Sequence, residues 1–264
     1  MAKAASHGQT SVTGLDAAPL AALLKQPVLA VEPCRSAGGN NRVFRVETPQ
    51  GPVLAKHYFK SPTDTRDRLE NEWQFLQYAA VANVPHMPHP IVRDVANNLA
   101  IYGFLEGQTP TQVTRPMVSQ AGEWIAALNA RRDDALAQAL PDASEACFTA
   151  ESHLQLLDAR LKKLEQATHQ EQESAGCAAI LTAMRQQFEQ ARAALQQGYA
   201  ALGIAEDAPL PRAAQCLSPS DFGFHNTLMT PDGVVRFIDF EYAGWDDPAK
   251  ITCDFMLHPG MEVT

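Results

Sequence analysis

Apolar and polar positions alternate with a period near two through much of the first third of the chain, then recur every three or four residues. The runs VLAVEPCR (28–35), RVFRVETP (42–49) and GPVLAKHYF (51–59) read as strands, the last two joined at a Gln50-Gly51 turn. The stretch SAGGNN (36–41) is rich in turn formers. Residues 64–81 switch period: Leu69, Trp73 and Leu76 recur at helical spacing with charges opposite, which predicts an amphipathic helix. After a Pro/His loop (84–90), IVRDV and LAIYGFL predict a further strand pair about Asn97-Asn98. The segment EGQTP (106–110) closes this β-β-β-α-β-β block as a linker.

The pattern beyond it is helical. One helix is predicted over 116–139, ending before Pro141. A second over 150–166 carries Leu154, Leu157, Leu161 and Leu164. A third over 178–200 carries Leu181, Met184, Phe188, Leu195 and Tyr199 on one face. The polar THQEQESAG between the last two predicts an antiparallel pair held by ordinary core packing. Short extended runs return at 213–245: AAQCLS, NTLMT and VVRFIDFEY, with Pro231-Asp232-Gly233 as a turn. The expected fold class is α+β, two-lobed: residues 1–14 a flexible N-terminus, 15–105 an antiparallel β lobe, and 106–264 a mainly helical lobe.

Composition changes this picture little. The chain has 264 residues, 45% hydrophobic and 19% charged, enough for a sizeable core. A net charge of −9 speaks against a nucleic-acid partner; it suits a cationic substrate and, more plainly, an ordinary soluble surface. The five cysteines, Cys34, Cys147, Cys177, Cys216 and Cys253, are scattered and include no CxxC, which points to a reducing compartment and to neither a disulfide frame nor a zinc site. The N-terminus lacks an apolar h-region and no long apolar run occurs, so a cytoplasmic chain with no membrane insertion is expected, as monomer or homodimer.

The candidate chemistry concentrates near the C-terminus, in Ser218-Pro-Ser-Asp221-Phe-Gly-Phe-His-Asn226 and Val234-Val-Arg-Phe-Ile-Asp239. Phosphoryl transfer needs a metal held against phosphates, a group that orients the attacking hydroxyl, and cations that balance charge. A D-x-x-x-x-N loop can set the Asp221 carboxylate on the nucleophile and the Asn226 amide oxygen on Mg²⁺. Asp239, at the end of an apolar strand, can hold Mg²⁺ from another side, and the hairpin between Asn226 and Asp239 would bring the two ligands together. Lys56 lies inside the apolar run VLAKHYF, where an ammonium is costly without a partner. A nucleotide phosphate with a helix carboxylate behind it would supply one, Glu72 being the better placed and Glu70 the weaker; an edge-strand lysine facing solvent is the plainer alternative. Gly38, Gly39, Asn40 and Asn41 suit a hairpin whose backbone NH groups cover phosphates, or simply a turn. His225 reads as a phosphate or substrate contact or as a structural loop histidine. Glu241, Asp246 and Asp247 can attract a cationic acceptor or cap a helix before Pro248.

These segments resemble the aminoglycoside phosphotransferase and choline kinase superfamily, relatives of the protein-kinase fold, over residues 28–257. GGNNRVFRV resembles its nucleotide-binding loop, VLAKHY its lysine strand, LENEWQFL its glutamate helix and IYGFLEG its hinge. SDFGFHN resembles the catalytic loop and FIDFEYAGWDDP the metal-binding segment. The resemblance implies an alcohol-phosphorylating, Mg²⁺-dependent kinase using ATP or GTP on a small hydroxyl acceptor such as a sugar, aminoglycoside or amino alcohol. It implies that the 15–105 lobe binds the nucleotide, which would lie in the cleft under the GGNN loop. It implies Asp221 as catalytic base, Asn226 and Asp239 as Mg²⁺ ligands, Lys56 on the α/β-phosphates with Glu72 behind it, and residues 102–105, among them Tyr102 and Phe104, flanking the adenine mainly through backbone groups. The FEYAG run is similar to that of choline and ethanolamine kinases.

Three departures stand out. Pro219-Ser220-Asp221 replaces the family's His-Gly-Asp, and Ile251 replaces an Asp three residues after a proline, with Asp254 the nearest acid. Only 25 residues follow Asp239, where the family continues through helices that wall the acceptor pocket, so an open acceptor site and a shortened C-terminus are expected. Two rival readings are a nucleotide-binding pseudokinase acting as a scaffold or regulator, and an interaction protein that docks through the 150–200 helix pair; an exposed apolar stripe on that pair would favour the second.

Overall fold

A computed structural model describes residues 15–34, 41–60, 66–170 and 175–258. The expected nucleotide-loop residues Gly38, Gly39 and Asn40 lie outside the described residues, as does the 1–14 segment. The chain divides into two units, residues 1–109 with 227–241 and residues 110–226 with 242–264.

The first unit is built on five antiparallel strands in the order β1-β2-β3-β5-β4. These are β1 (Ala30–Pro33), β2 (Asn41–Glu47), β3 (Val53–Tyr58), β4 (Pro90–Asp94) and β5 (Leu99–Gly103). In β3 the period of two sends Val53 and Ala55 to one face and Lys56 and Tyr58 to the other. The first face packs Phe44, Val46, Leu99 and Ile101 against Leu20 of a short helix, α1 (Ala17–Leu24). The strand pattern of this third did not predict α1, because AAPLAALL is too short and too uniformly apolar to show a helical stripe. The helix expected at 64–81 is α2 (Arg68–Ala82); the Asp67 carboxylate accepts from the Glu70 N–H and caps its start.

The segment 227–241 groups with this first unit, whereas the sequence places it in the helical lobe. It forms the hairpin β7 (Thr227–Met229) and β8 (Val235–Phe237), with Thr227 opposite Phe237, and it bonds back to the N-terminal chain. Gln108 and Met229 exchange both backbone hydrogen bonds, and the Phe237 N–H donates to the His86 carbonyl. Such ties join residues more than a hundred positions apart, so local pattern does not reveal them.

The second unit is mainly helical. The helix predicted over 116–139 is two: α3 (Arg115–Asn129) and the single turn α4 (Ala135–Gln138). Asn129 marks the break. Its Oδ1 accepts from the Leu217 N–H at 2.7 Å and its Nδ2 donates to the Leu217 carbonyl at 3.1 Å, tying the helix end to β6 (Cys216–Ser218). Strand β6 pairs with β9 (Gly244–Asp246). A Cβ on Gly244 would lie 2.3 Å from the Pro141 carbonyl oxygen, so this backbone approach requires glycine. Helices α5 (Ala150–Gln170) and α6 (Ala175–Leu202) form the expected pair, with Leu161 and Phe188 buried and Arg185 bridging Asp158 and Glu165. The apolar stripe is only partly covered: Leu157, Leu164 and Met184 stay 42–49% exposed. Helix α7 (Pro248–Met256) closes the described chain, with Asp247 as its N-cap accepting from the Ala249 N–H at 2.7 Å.

Candidate active site

In the first unit, helical spacing sets the central carboxylate. Glu72 stands three residues after Leu69 and four before Leu76, on the stripe that packs against the sheet, while Glu70 falls off it. Glu72 is 3% exposed and Lys56 5%. Lys56 Nζ donates to Glu72 Oε2 at 2.7 Å and to Asp239 Oδ1 at 2.6 Å, and Glu241 Oε2 lies 3.7 Å away. Burial alone would lower the Lys56 pKa, but the carboxylates of Glu72, Asp239 and Glu241 outweigh it and hold the ammonium above its ordinary range. Lys56 is therefore an inward-facing lysine. Glu70 bonds Gln74 and Arg93.

Further donors complete Glu72. Tyr58 Oη donates to its Oε2 at 2.7 Å, and the Phe240 N–H donates to its Oε1 at 3.1 Å. Tyr102 Oη lies 2.7 Å from Tyr58 Oη, and burial pushes both phenols up. The Tyr102 side chain is thus part of the buried network. Phe104 stands just past β5 with the Arg45 guanidinium 4.5 Å from its ring centre.

Glu241 neither attracts an acceptor at the surface nor caps a helix, the two roles its position suggested. It is 3% exposed, accepts from Asn41 Nδ2 and from Arg68 at 3.3 Å, and its carbonyl accepts from Asn71 Nδ2 at 2.9 Å. Burial pushes its carboxyl pKa up. Asn41 is committed to this contact and to the Phe59 N–H. The three carboxylates Glu72, Asp239 and Glu241 come close enough to ligate a cation, and the Lys56 ammonium is that cation. Asp239 is the outermost, with its side chain 42% exposed and its backbone in the left-handed region at φ 68°. One of its oxygens meets Lys56; the other is a hard donor of the kind Mg²⁺ takes.

In the second unit, β6 runs into Pro219-Ser220-Asp221. Ser220 adopts φ 69°, a conformation that favours glycine, and its Oγ donates to the Ser144 carbonyl at 3.1 Å. The Asp221 side chain is 46% exposed. Asn226 Nδ2 donates to Asp221 Oδ2 at 3.1 Å and to its carbonyl at 3.0 Å, which turns the Asn226 amide oxygen away as a second hard donor. His225 Nε2 lies 3.1 Å from Asp221 Oδ1. The His225 hydrogen bond, then the nearby imidazoles and Asn226, hold the Asp221 carboxyl below its ordinary pKa against the effect of burial. His225 folds back over Gly223, where a Cβ would meet its Nδ1 at 2.7 Å.

Asp221 and Ser220 line a cavity of about 700 Å³ within this unit, walled by α5, α7 and the Ser144-Glu145 turn. Arg160 pairs with Glu145 and Lys250 with Asp254 along its wall. Asp246 is fully buried, accepting the Cys147 and Asp247 N–H groups, with Lys250 at 3.3 Å. His258 stacks on His225 with ring centres 3.9 Å apart. His258, Arg68 and Lys250 carry no sequence signal of their own, because each gains its meaning from a partner that spacing alone does not identify.

A search of curated protein sequences finds no match. Solved structures do match. A choline kinase from Cryptosporidium parvum Iowa II is 14% identical with a TM-score of 0.56, covering 87% of this chain and 62% of its own. The ADP-bound aminoglycoside phosphotransferase APH(2'')-Ib is 16% identical with a TM-score of 0.55, covering 90% and 75%. A choline/ethanolamine kinase family protein from Mesorhizobium loti is 20% identical with a TM-score of 0.53, covering 93% and 68%. The chain thus spans less than two thirds of the choline kinase. At such identities the likeness shows the fold, a kinase-like α+β fold with an antiparallel β unit and a mainly helical unit. The family model described as "Phosphotransferase enzyme family" matches residues 34–255, and with most of its length so matched the chain belongs to that family.

Proposed function

We propose that the chain transfers the γ-phosphoryl group of ATP or GTP to a hydroxyl of a small acceptor such as a sugar, an aminoglycoside or an amino alcohol. The observation that carries this reading is Asp221, a half-exposed carboxylate at a 700 Å³ cavity, oriented by hydrogen bonds from Asn226 and His225. Membership of the phosphotransferase family supports it, and one solved relative binds ADP. No described helix is long and apolar enough to cross a membrane.

Asp221 accepts the proton of the acceptor hydroxyl as its oxygen forms the new O–P bond. The bond from the γ-phosphorus to the bridging oxygen breaks, and the nucleoside diphosphate leaves with that electron pair. A low pKa keeps Asp221 ionised and able to orient the hydroxyl. Lys56, held by Glu72, presents positive charge to the nucleotide phosphates. Asn226 and Asp239 offer the hard oxygen donors that fit Mg²⁺, which when bound neutralises phosphate charge. The ion pairs along the cavity, Arg160–Glu145 and Lys250–Asp254, offer both donors and acceptors, which suits a polyhydroxylated guest.

The test is a phosphoryl-transfer screen against a panel of small hydroxyl compounds with the wild type and Asp221→Ala. Turnover on the accepted compound should fall roughly 10²–10⁴-fold in the variant while nucleotide binding survives. Undiminished turnover would remove Asp221 as the base. Nucleotide binding without transfer to any acceptor would favour the pseudokinase.

A further inference from the structure

The cavity at Asp221 is lined by carboxylates and cations, and every lining carboxylate other than Asp221 is already bonded to a cation. Glu145 is met by the Arg160 guanidinium, and Asp254 by the Lys250 ammonium at 2.6 Å. Burial would lower the Lys250 pKa, but the Asp254 and Asp246 carboxylates raise it above its ordinary value, so the lysine stays charged. His258, also in the lining, adds no charge at neutral pH, because burial and the His225 imidazole push its pKa below the ordinary value. The acids behind the wall are committed elsewhere. Asp246 is fully buried and accepts the Cys147 and Asp247 N–H groups, and Asp247 caps α7 and meets His153 at 3.0 Å.

The cations, by contrast, keep donors for a guest. Lys250 reaches Asp254 at 2.6 Å and Asp246 at 3.3 Å, and Arg160 gives one N–H to Glu145. An ammonium carries three N–H donors and a guanidinium five, so each has one or more to spare. Leu157 and Leu257 add apolar surface to the same lining, which suits the C–H face of a sugar ring.

We propose that this cavity takes an uncharged polyhydroxylated acceptor, a sugar or polyol, and discriminates against acceptors that carry an ammonium group, with the Glu145–Arg160 pair setting that choice. Placing the acceptor here rests on the function proposed above. A hydroxyl accepts from Lys250 or Arg160 while its neighbour gives its proton to Asp221. An ammonium has no lone pair with which to accept, meets two cations, and finds Asp221 as the one carboxylate not bonded to a cation; pairing there would occupy the base. The discrimination is thus a built-in repulsion rather than a better fit.

The experiment uses the full chain and matched probes: glucose with glucosamine, galactose with galactosamine, and mannose with mannosamine, at about pH 6, where amines of this kind are ammonium. Dissociation constants come from NMR titration, and kcat/KM from the phosphoryl-transfer assay. The neutral member should be preferred roughly tenfold or more in at least one pair. Arg160→Gln uncovers the Glu145 carboxylate and should move the ratio toward the amine by up to about fivefold, the range of an exposed ion pair. Glu145→Gln uncovers Arg160 and should move it the other way. Opposite shifts from two adjacent residues are not what a merely structural role gives, and both are exposed enough to replace without unfolding the chain. Equal or better use of the amines, or a ratio that neither variant moves, overturns the inference while transfer itself still upholds Asp221 as the base. Preferred binding of the neutral members without transfer to any of them upholds the inference and overturns the proposed reaction. A chain that binds no member of the panel overturns the inference.

Discussion

Lys56 of β3 and Glu72 of α2 form a buried ion pair at 2.7 Å, each less than 6% exposed. The pair joins the sheet to the helix packed on it, and Tyr58 and the Phe240 backbone saturate the carboxylate. Lys56→Met removes the cation that meets both Glu72 and Asp239 and leaves the buried Glu72 carboxylate beside the neutral donors Tyr58 and Phe240 N–H. Lys56→Met should therefore cost about 3–5 kcal/mol of stability, read by urea unfolding. Lys56→Met with Glu72→Gln should cost less than the sum of the two single changes, because the groups share one network.

Asp239 holds Lys56 with one oxygen and keeps a side chain 42% exposed. Asp239→Ala should weaken Mg²⁺-nucleotide binding by more than the roughly 10–100-fold that loss of an outer contact costs at a metal site. Calorimetric titration with and without Mg²⁺ checks this, and an unchanged Mg²⁺ dependence would count against the metal role.

Ser220 pays for its position before Asp221 with a left-handed backbone at φ 69°, offset by its Oγ bond to the Ser144 carbonyl. Alanine and glycine both lose that bond, but only glycine relieves the strain. Ser220→Gly should be more stable than Ser220→Ala by about 1–2 kcal/mol. Thermal unfolding of the two variants side by side decides it.

The depressed Asp221 pKa has a definite pH signature. Its stabilising contribution is complete above the ordinary carboxylate pKa and is lost as pH falls through the lower folded value. Asp221→Asn should flatten the fall in stability between about pH 5 and pH 2. Denaturant midpoints of the two proteins across that range measure the difference.

Gly223 lies under His225, where a Cβ would come 2.7 Å from Nδ1 and 2.9 Å from Cε1. Gly223→Ala should displace the imidazole and let the Asp221 carboxyl pKa climb back toward its ordinary value. A carboxyl-carbon NMR titration of Asp221 reads this, and an unmoved pKa would show that His225 does not set it.

Much of the fold was legible because its elements carry local pattern. Alternation marked β2 and β3, the Leu69-Trp73-Leu76 stripe marked α2, and the paired stripes marked α5 and α6. Glu72 could be chosen over Glu70 because a carboxylate on an apolar stripe needs a buried cation, and Lys56 in an apolar strand needs an anion. The sequence by itself therefore determined the β-then-helical order, the inward lysine and the acid-rich segment from Asp221 to Asp239. Tertiary structure alone decided the rest. It ended α3 at Asn129 through a bond to Leu217, moved 227–241 into the first unit, buried Glu241 against Asn41 and Arg68, and stacked His258 on His225 beside Asp221. Each of these depends on contacts between residues far apart in the chain, and local periodicity holds no record of which distant group will be the partner.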